Sequence, residues 1–482
     1  MSIIDSRFYK RVTNLAGIRI LAGVLVLVTV PVLTRTYTPT QYGQWVVWFS
    51  LCVLLSSVSS LGYAQAIVLP KLHKHGALLV RLAIACCLLV GSTGALVYCA
   101  IPEDLLLALG IPQSAAWSIG FGLVVTLTGI NESLGSWNIR REKFSVYAQA
   151  QAVATAGVPA CQIGLAYVVG ASEITLVIGT VLSLLMSLVL LLTRGGLGLT
   201  KHAQQSVISW KKEYISSKQY DAYPKFMVAY NLVGTFRERF IFFLLGQTNS
   251  LEAGLFGLAH RVVQVPKNLM ASSVKPVFYQ IAARADIRKL ENEIQGFLLA
   301  AVKVMIPVWV LFLFSSEAIF SFLFGEEWRQ AGAYAAIISF VAIPNIMCAC
   351  FDRVFDVTGR QKVAFRLELG FSILLAISIS LAALADSPMM HIVVVQSVVL
   401  TLYFFVYLFF IYYVAGYSLG GFWKIQLAIF LLAVVSVLYF LFLNWTTGEA
   451  WASVIYASTV GICIARVVLD EFKKFGARKE CN

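Results

Sequence analysis

The amino-acid sequence predicts an all-α polytopic membrane protein of about fourteen transmembrane helices, arranged as two six-helix lobes with two further helices appended. Three observations carry that expectation. The chain of 482 residues is 59% hydrophobic and only 13% charged, with a mean hydropathy of +0.81, too apolar for a soluble multidomain protein. Windows of about twenty apolar residues, long enough to cross a bilayer as a helix, recur along the whole length. Short motifs recur between the two halves in the same order.

The windows lie at 14–34, 42–64, 77–100, 113–137, 147–169, 173–193, 224–246, 253–276, 296–319, 330–351, 361–384, 390–414, 423–443 and 449–468. Arg7, Lys10 and Arg11 precede the first. Its apolar stretch is long and lacks a small-residue cleavage site, so it reads as an uncleaved first helix. Basic residues then fall on alternate loops: Lys71 and Lys74; Arg140, Arg141 and Lys143; Arg194, Lys201, Lys211, Lys212 and Lys218; Arg284, Arg288 and Lys289; Arg360 and Lys362; and Lys473, Lys474, Arg478 and Lys479. The opposite loops carry Glu103, Asp104, Glu173, Glu252, Glu326, Glu327, Asp386 and Glu449. Basic loops stay on the cytoplasmic side, so both termini are cytoplasmic and the turn Gln247–Glu252 faces outward. The longest inner loop separates an N-terminal lobe, 1–200, from a C-terminal lobe, 223–414. Between them the basic stretch 201–222, around Trp210, is either a plain linker or a segment lying on the anionic inner leaflet. The appended helices occupy 415–470 and a cytoplasmic tail 471–482.

The repeat supports the two lobes. Gln41-Tyr42-Gly43-Gln44-Trp45 resembles Glu252-Ala253-Gly254-Leu255-Phe256 at an offset of 211 residues. Leu109-Gly110 corresponds to Phe324-Gly325 at 215, and Arg141-Glu142-Lys143 to Arg360-Gln361-Lys362 at 219. Lobes with an even number of spans share one orientation, and transporters so built bind substrate between them near the bilayer midplane.

Several function classes are disfavoured. The nine cysteines and five histidines show no metal or disulfide spacing. The net charge of +13 follows the inner loops rather than a nucleic-acid face. No nucleotide-binding loop is present. The outer loops are short, which weighs against a membrane glycan polymerase or ligase.

The two spans after the linker carry charge deep inside: Arg237, Glu238 and Arg239 in the first, His260, Arg261 and Lys267 in the second. A charge in hydrocarbon costs at least ~2.5 kcal/mol, so such side chains turn toward a cavity, a partner or a ligand. Arg261, Gln264, Asn268 and Lys275 share one helix face, and Asn231, Thr235 and Glu238 form a comparable stripe. Arg237 and Arg261 stand at similar depth, whereas positions 237 and 239 point about 200° apart. Taking Arg19, Lys303 and Arg366 together with Arg237, Arg239, Arg261 and Lys267 gives seven cations, to set against the three carboxylates Glu132, Glu238 and Glu368. Pairing, for instance of Glu238 with Arg239, neutralises three cations at most. Snorkelling is the bland account of the rest; a cavity for phosphate or carboxylate is the functional one, since arginine offers permanently charged bidentate donors. The candidate cavity residues are Arg19, Arg237, Arg261, Gln264, Lys267, Asn268 and Lys303, with Glu238 and Arg239 as charge partners. Pro266 is a hinge or a static kink.

At these residues the chain resembles a known family. Glu238-Arg239 before Gly246, Glu252 to Phe256, and Ala259-His260-Arg261 before Pro266 resemble the polysaccharide flippases of the Wzx type. These share the MOP superfamily with the MATE drug exporters and lipid II flippases. Thr38-Pro39 to Gly43, Leu61-Gly62, Arg141 to Phe144, Phe324 to Trp328, and Gly359 to Lys362 fit the family's loop-edge patterns. The resemblance implies a MATE-like arrangement in a bacterial inner membrane. It implies transfer of an undecaprenyl-pyrophosphate-linked oligosaccharide, for O-antigen lipopolysaccharide, capsule or exopolysaccharide, from the cytoplasmic to the periplasmic leaflet by alternating access. The cationic cavity would hold pyrophosphate and sugar while the lipid tail stays in the membrane. No cofactor is implied; membrane lipids and glycan polymerase or chain-length proteins are the further partners, and H+ or Na+ the candidate coupling ion. Arg19 and Arg261 resemble cavity arginines in position. The second span departs from the arginine cluster of lipid II flippases, offering Ser56, Ser57, Ser59 and Ser60 instead.

Two other readings stay open: a MATE-like ion-coupled exporter, which would want buried acids where the first span presents Arg19, and the polymerase or ligase. Topology is directly testable. A cysteine introduced at Ser250 should label from outside intact cells, and one at Ser217 only after permeabilisation.

Overall fold

Each of the fourteen windows is occupied by a helix in the computed structural model, which describes residues 6–68, 70, 73–195, 224, 227–282, 287–385, 387–448, 451–463 and 466. The linker 201–222, with Ser217, and the tail 471–482 lie outside the described residues. Among the described residues every element is helical. Nine helices there are long and apolar enough to cross a membrane, and Leu21–Thr36 and Trp451–Cys463 are shorter apolar ones. Three more, Ala115–Arg140, Val228–Thr248 and Ser250–Ala282, are long enough at 26, 21 and 33 residues but too polar to count among the nine. They hold Glu132 and the two charged spans, so the polar burden of the chain is concentrated in them.

The chain divides into two compact units, Met1–Gly257 with Glu368–Ala385, and Leu258–Leu367 with Asp386–Asn482. The first contains α1 (Ser6–Thr36), α2 (Pro39–Ser59), the single turn α3 (Tyr63–Ala66), α4 (His73–Ala100), α5 (Glu103–Ala108), α6 (Ala115–Arg140), α7 (Phe144–Val169), α8 (Glu173–Gly195), α9 (Val228–Thr248) and the start of α10 (Ser250–Ala282). Here α4 packs on α6, α7 on α8 and α1, and α9 on α2. Without a hydrophobic drive between helices in lipid, small residues and interhelical hydrogen bonds hold such contacts. Tyr37 Oη donates to Gln162 O at 2.9 Å, Trp45 Nε1 to Thr180 Oγ1 at 3.1 Å, and Asn131 Nδ2 to Leu184 O at 3.1 Å. The Arg141–Lys143 motif has a structural task as well: Arg141 Nη1 and Lys143 Nζ both donate to Gly195 O, at 3.2 and 2.7 Å. They satisfy a terminal carbonyl of α8 where a cation also complements the helix dipole.

The second unit contains the rest of α10, α11 (Glu291–Phe324), α12 (Arg329–Phe351), the short α13 (Val354–Val357), the first turns of α14 (Gln361–Leu384), α15 (Met389–Ala415), α16 (Leu419–Thr447) and α17 (Trp451–Cys463). α12 packs on α11 and α15, and α11 on α16. Val310, Phe440, Leu443, Ala452, Tyr456 and Val460 form one buried cluster, in which the Phe314 and Phe440 rings stack at 4.4 Å. α14 changes allegiance along its length, with Gln361–Leu367 in this unit and Glu368 onward in the first.

The local signals at the start of α2 explain one contact on which the first unit turns. Thr38 caps α2 in a capping box with Gln41, and Pro39 occupies the first turn, where its missing N–H costs nothing. Next comes Gly43, and a Cβ there would lie 1.7 Å from Ser250 O and 2.8 Å from Gly254 N. A Cβ on Gly254 would lie 2.0 Å from Pro39 O and 3.0 Å from Gly43 N. The contact is reciprocal: Pro39 and Ser250, like Gly43 and Gly254, are related by the 211-residue offset of the sequence repeat. Self-complementary contacts of this kind mark two-fold symmetry, here a local pseudo-two-fold between α2 and the start of α10. Gly254→Ala should therefore lower the melting temperature of the detergent-solubilised protein, at a cost of about 1–3 kcal/mol or more. Gly164→Ala, whose methyl would meet nothing within 4 Å, should not.

Candidate substrate-binding site

The candidate residues fall into both units, and each group has its own chemistry. In the first unit, α9 is held beside α2, and Asn231 Nδ2 donates to Ser57 O at 3.5 Å. Six residues on, Arg237 is 9% exposed, and its Nε donates to Glu368 Oε1 at 2.7 Å. Glu368 is 6% exposed. The guanidinium that the sequence places in an open cavity is thus buried against a carboxylate of α14, because at this depth an unpaired charge is the costliest arrangement. Gly234, one turn before Arg237, faces the same carboxylate: a Cβ there would stand 3.5 Å from Glu368 Oε1. Glu238 is exposed. Arg239 points elsewhere, as its angular separation from Arg237 requires; its guanidinium lies over the Phe242 ring at 5.8 Å, and its buried Nε has no hydrogen-bond partner.

In the second unit, α10 runs without a break through Pro266, so that residue does not interrupt the helix. Arg261, Gln264 and Lys267 are half-buried, and Pro266 and Asn268 are exposed. His260 Nε2 and Gln264 Nε2 lie 3.3 Å apart, one turn along the helix. Lys275, on the same face in the sequence reading, is engaged by Asp352 of α12. Arg261, Gln264 and Asn268, at spacings of three and four, lie on one side of α10. Lys303 is exposed on α11 and Arg366 on α14. Arg19 sits on α1, outside the residues whose side chains the structure describes.

Glu368 is the side chain that sequence reasoning named without assigning it a partner. The signal was present, since a carboxylate inside an apolar span needs a partner, but its partner lies 131 residues away on a helix that no local pattern links to it. Among the described residues no cluster of three or more His, Cys, Asp or Glu side chains could hold a metal ion. The described site thus has a guanidinium and amides along one side of α10 and a second guanidinium on α9 paired with Glu368.

Removing one member of the α9–α14 pair leaves the other charged and buried. Arg237→Ala should cost about 3–5 kcal/mol of stability, whereas Arg237→Met combined with Glu368→Leu should recover most of it. Denaturation of the purified variants would show the difference.

Comparison with known proteins accords with this chemistry. Residues 32–333 match a family described as polysaccharide biosynthesis protein. The teichuronic acid biosynthesis protein TuaB of Bacillus subtilis (strain 168) is 23% identical over 213 residues, 43% of this chain and 43% of that protein. The aligned part therefore spans less than half of that relative's length. Among solved structures, the lipid II flippase MurJ in an inward closed conformation superposes with a TM-score of 0.70 at 15% identity, covering 96% of this chain and 99% of that one. A multidrug resistance MATE family transporter of the MOP superfamily, inward-facing, gives 0.59 at 12% identity over 86% and 98% of the two chains. At such identities the likeness is one of fold. Because the family match runs over more than half of its length, the chain belongs to the polysaccharide biosynthesis protein family, built on the helical fold of the MOP-superfamily transporters.

Proposed function

We propose that this protein is a flippase that moves an undecaprenyl-pyrophosphate-linked oligosaccharide from the cytoplasmic to the periplasmic leaflet of a bacterial inner membrane, with both termini cytoplasmic. The observation that carries the reading is the donor run of Arg261, Gln264 and Asn268 on α10, within a chain of a polysaccharide biosynthesis family. A guanidinium supplies two parallel donors to a phosphate, and amides bind either hydroxyls or phosphate oxygens. The lobes 1–200 and 223–414 would alternate access to this face, and the lipid tail would remain in the bilayer. Lys267 and Lys303 extend the cationic character. The export of organic cations would call for free acids in the spans, and Glu368 is already engaged by Arg237.

The test is reconstitution of the purified chain into vesicles loaded with lipid-linked oligosaccharide, scoring leaflet transfer with and without proton or sodium gradients. Transfer is expected. Arg261→Ala should slow it about ten- to hundredfold, the worth of one or two charge-assisted hydrogen bonds, and Arg261→Lys should restore little because a point charge lacks the bidentate geometry. Ion-driven export of organic cations without glycan transfer would establish the exporter instead.

A further inference from the structure

The pair between Arg237 and Glu368 has a geometry that bears on which lipids the protein accepts. Arg237 Nε donates to Glu368 Oε1 at 2.7 Å, and the two side chains are 10% and 8% exposed. Neither charge can be separated from the other at this depth unless a third group replaces the partner that leaves. Only an anion can replace Glu368. A diphosphate carries more charge than one carboxylate and presents several oxygens to the guanidinium fork, whereas a neutral glycolipid offers nothing that would hold Arg237. The surroundings favour movement of the carboxylate rather than of the arginine. Gly234 places no side chain against it. Glu368 is also the first residue of α14 that packs with the first unit, the preceding turns belonging to the second.

We propose that Glu368 is a positioning and specificity-determining residue, a built-in competitor that holds Arg237 until the diphosphate of the lipid carrier displaces it. This rests on the reading of the chain as a carrier of diphosphate-linked lipid. The exchange keeps the guanidinium neutralised throughout, so it is open to anionic carriers and closed to uncharged ones.

The experiment uses the full chain in detergent micelles, with farnesyl diphosphate as the probe and farnesol as its neutral counterpart. Glu368→Gln removes the competitor and should tighten farnesyl diphosphate binding about tenfold while leaving farnesol unchanged. A purely structural role predicts the opposite, weaker or unaltered binding with a lower melting temperature, and that result would overturn the proposal. A measurement on the unaltered protein guards against misfolding of the variant. The unaltered protein should bind farnesyl diphosphate at least about tenfold more tightly than farnesol, since only the diphosphate can take the carboxylate's place on Arg237. Equal affinity of the unaltered protein for the two probes would equally sink the idea. The two readings fail separately: tighter binding without glycan transfer in vesicles discards the transport reading alone, and transfer with unaltered Glu368→Gln affinity discards this one alone.

Discussion

The first unit depends on backbone meeting backbone between α2 and the start of α10. Gly43 and Gly254 each occupy the place where the other helix's carbonyl arrives, Ser250 O in one direction and Pro39 O in the other. In a lipid environment, where apolar side chains gain little by leaving the solvent, such close approach is among the strongest ways for helices to associate. The neighbouring loop joins the same contact. Gly110 adopts a left-handed conformation, φ +70°, which a side chain would strain; its carbonyl accepts from Ser250 Oγ at 3.3 Å. Gly246, near the end of α9, faces Leu109 O with no room for a Cβ. The turn between α9 and α10 is therefore held on two sides, and the position of Arg237 along α9 follows from it.

Once α9 is so placed, electrostatics decides the rest. Residues 237 to 239 carry three consecutive charges, and a helix cannot present all of them to one surface. Arg237 turns inward and is neutralised by Glu368; Glu238 reaches an exposed position. Arg239 lays its guanidinium over Phe242, an arrangement that recovers part of the desolvation cost through the ring's quadrupole. The α10 face is the complement, with cation and amides half-buried or exposed and Lys275 drawn away to Asp352.

Some cations that the loop pattern reads purely as topology signals have second tasks. Arg140 Nη1 donates to Ile67 O and Val68 O at 3.2 and 3.1 Å, and Arg141 and Lys143 converge on Gly195 O. The same basic residues close the ends of helices. Local economy of this kind is expected where terminal carbonyls have few other donors to meet.

The helices themselves were legible in the sequence, because a run of about twenty apolar residues can satisfy its backbone in a bilayer in essentially one way. Two glycines that the repeat aligns, Gly43 and Gly254, meet in a backbone contact that periodicity does not predict. The opposed directions of Arg237 and Arg239 followed from helical periodicity alone. The partners of the buried charges did not. Glu368 lies 131 residues from Arg237, and Asp352 lies 77 from Lys275. In both cases periodicity assigns a residue to a face of its own helix, but only the packing of helices decides which opposite charge that face meets. The sequence by itself determined where the chain crosses the membrane and which spans must shelter charge. Tertiary structure alone decided that Arg237 is held and that Lys275 is spoken for, because ion pairing at depth is settled by distances of a few ångströms between segments that share no local pattern.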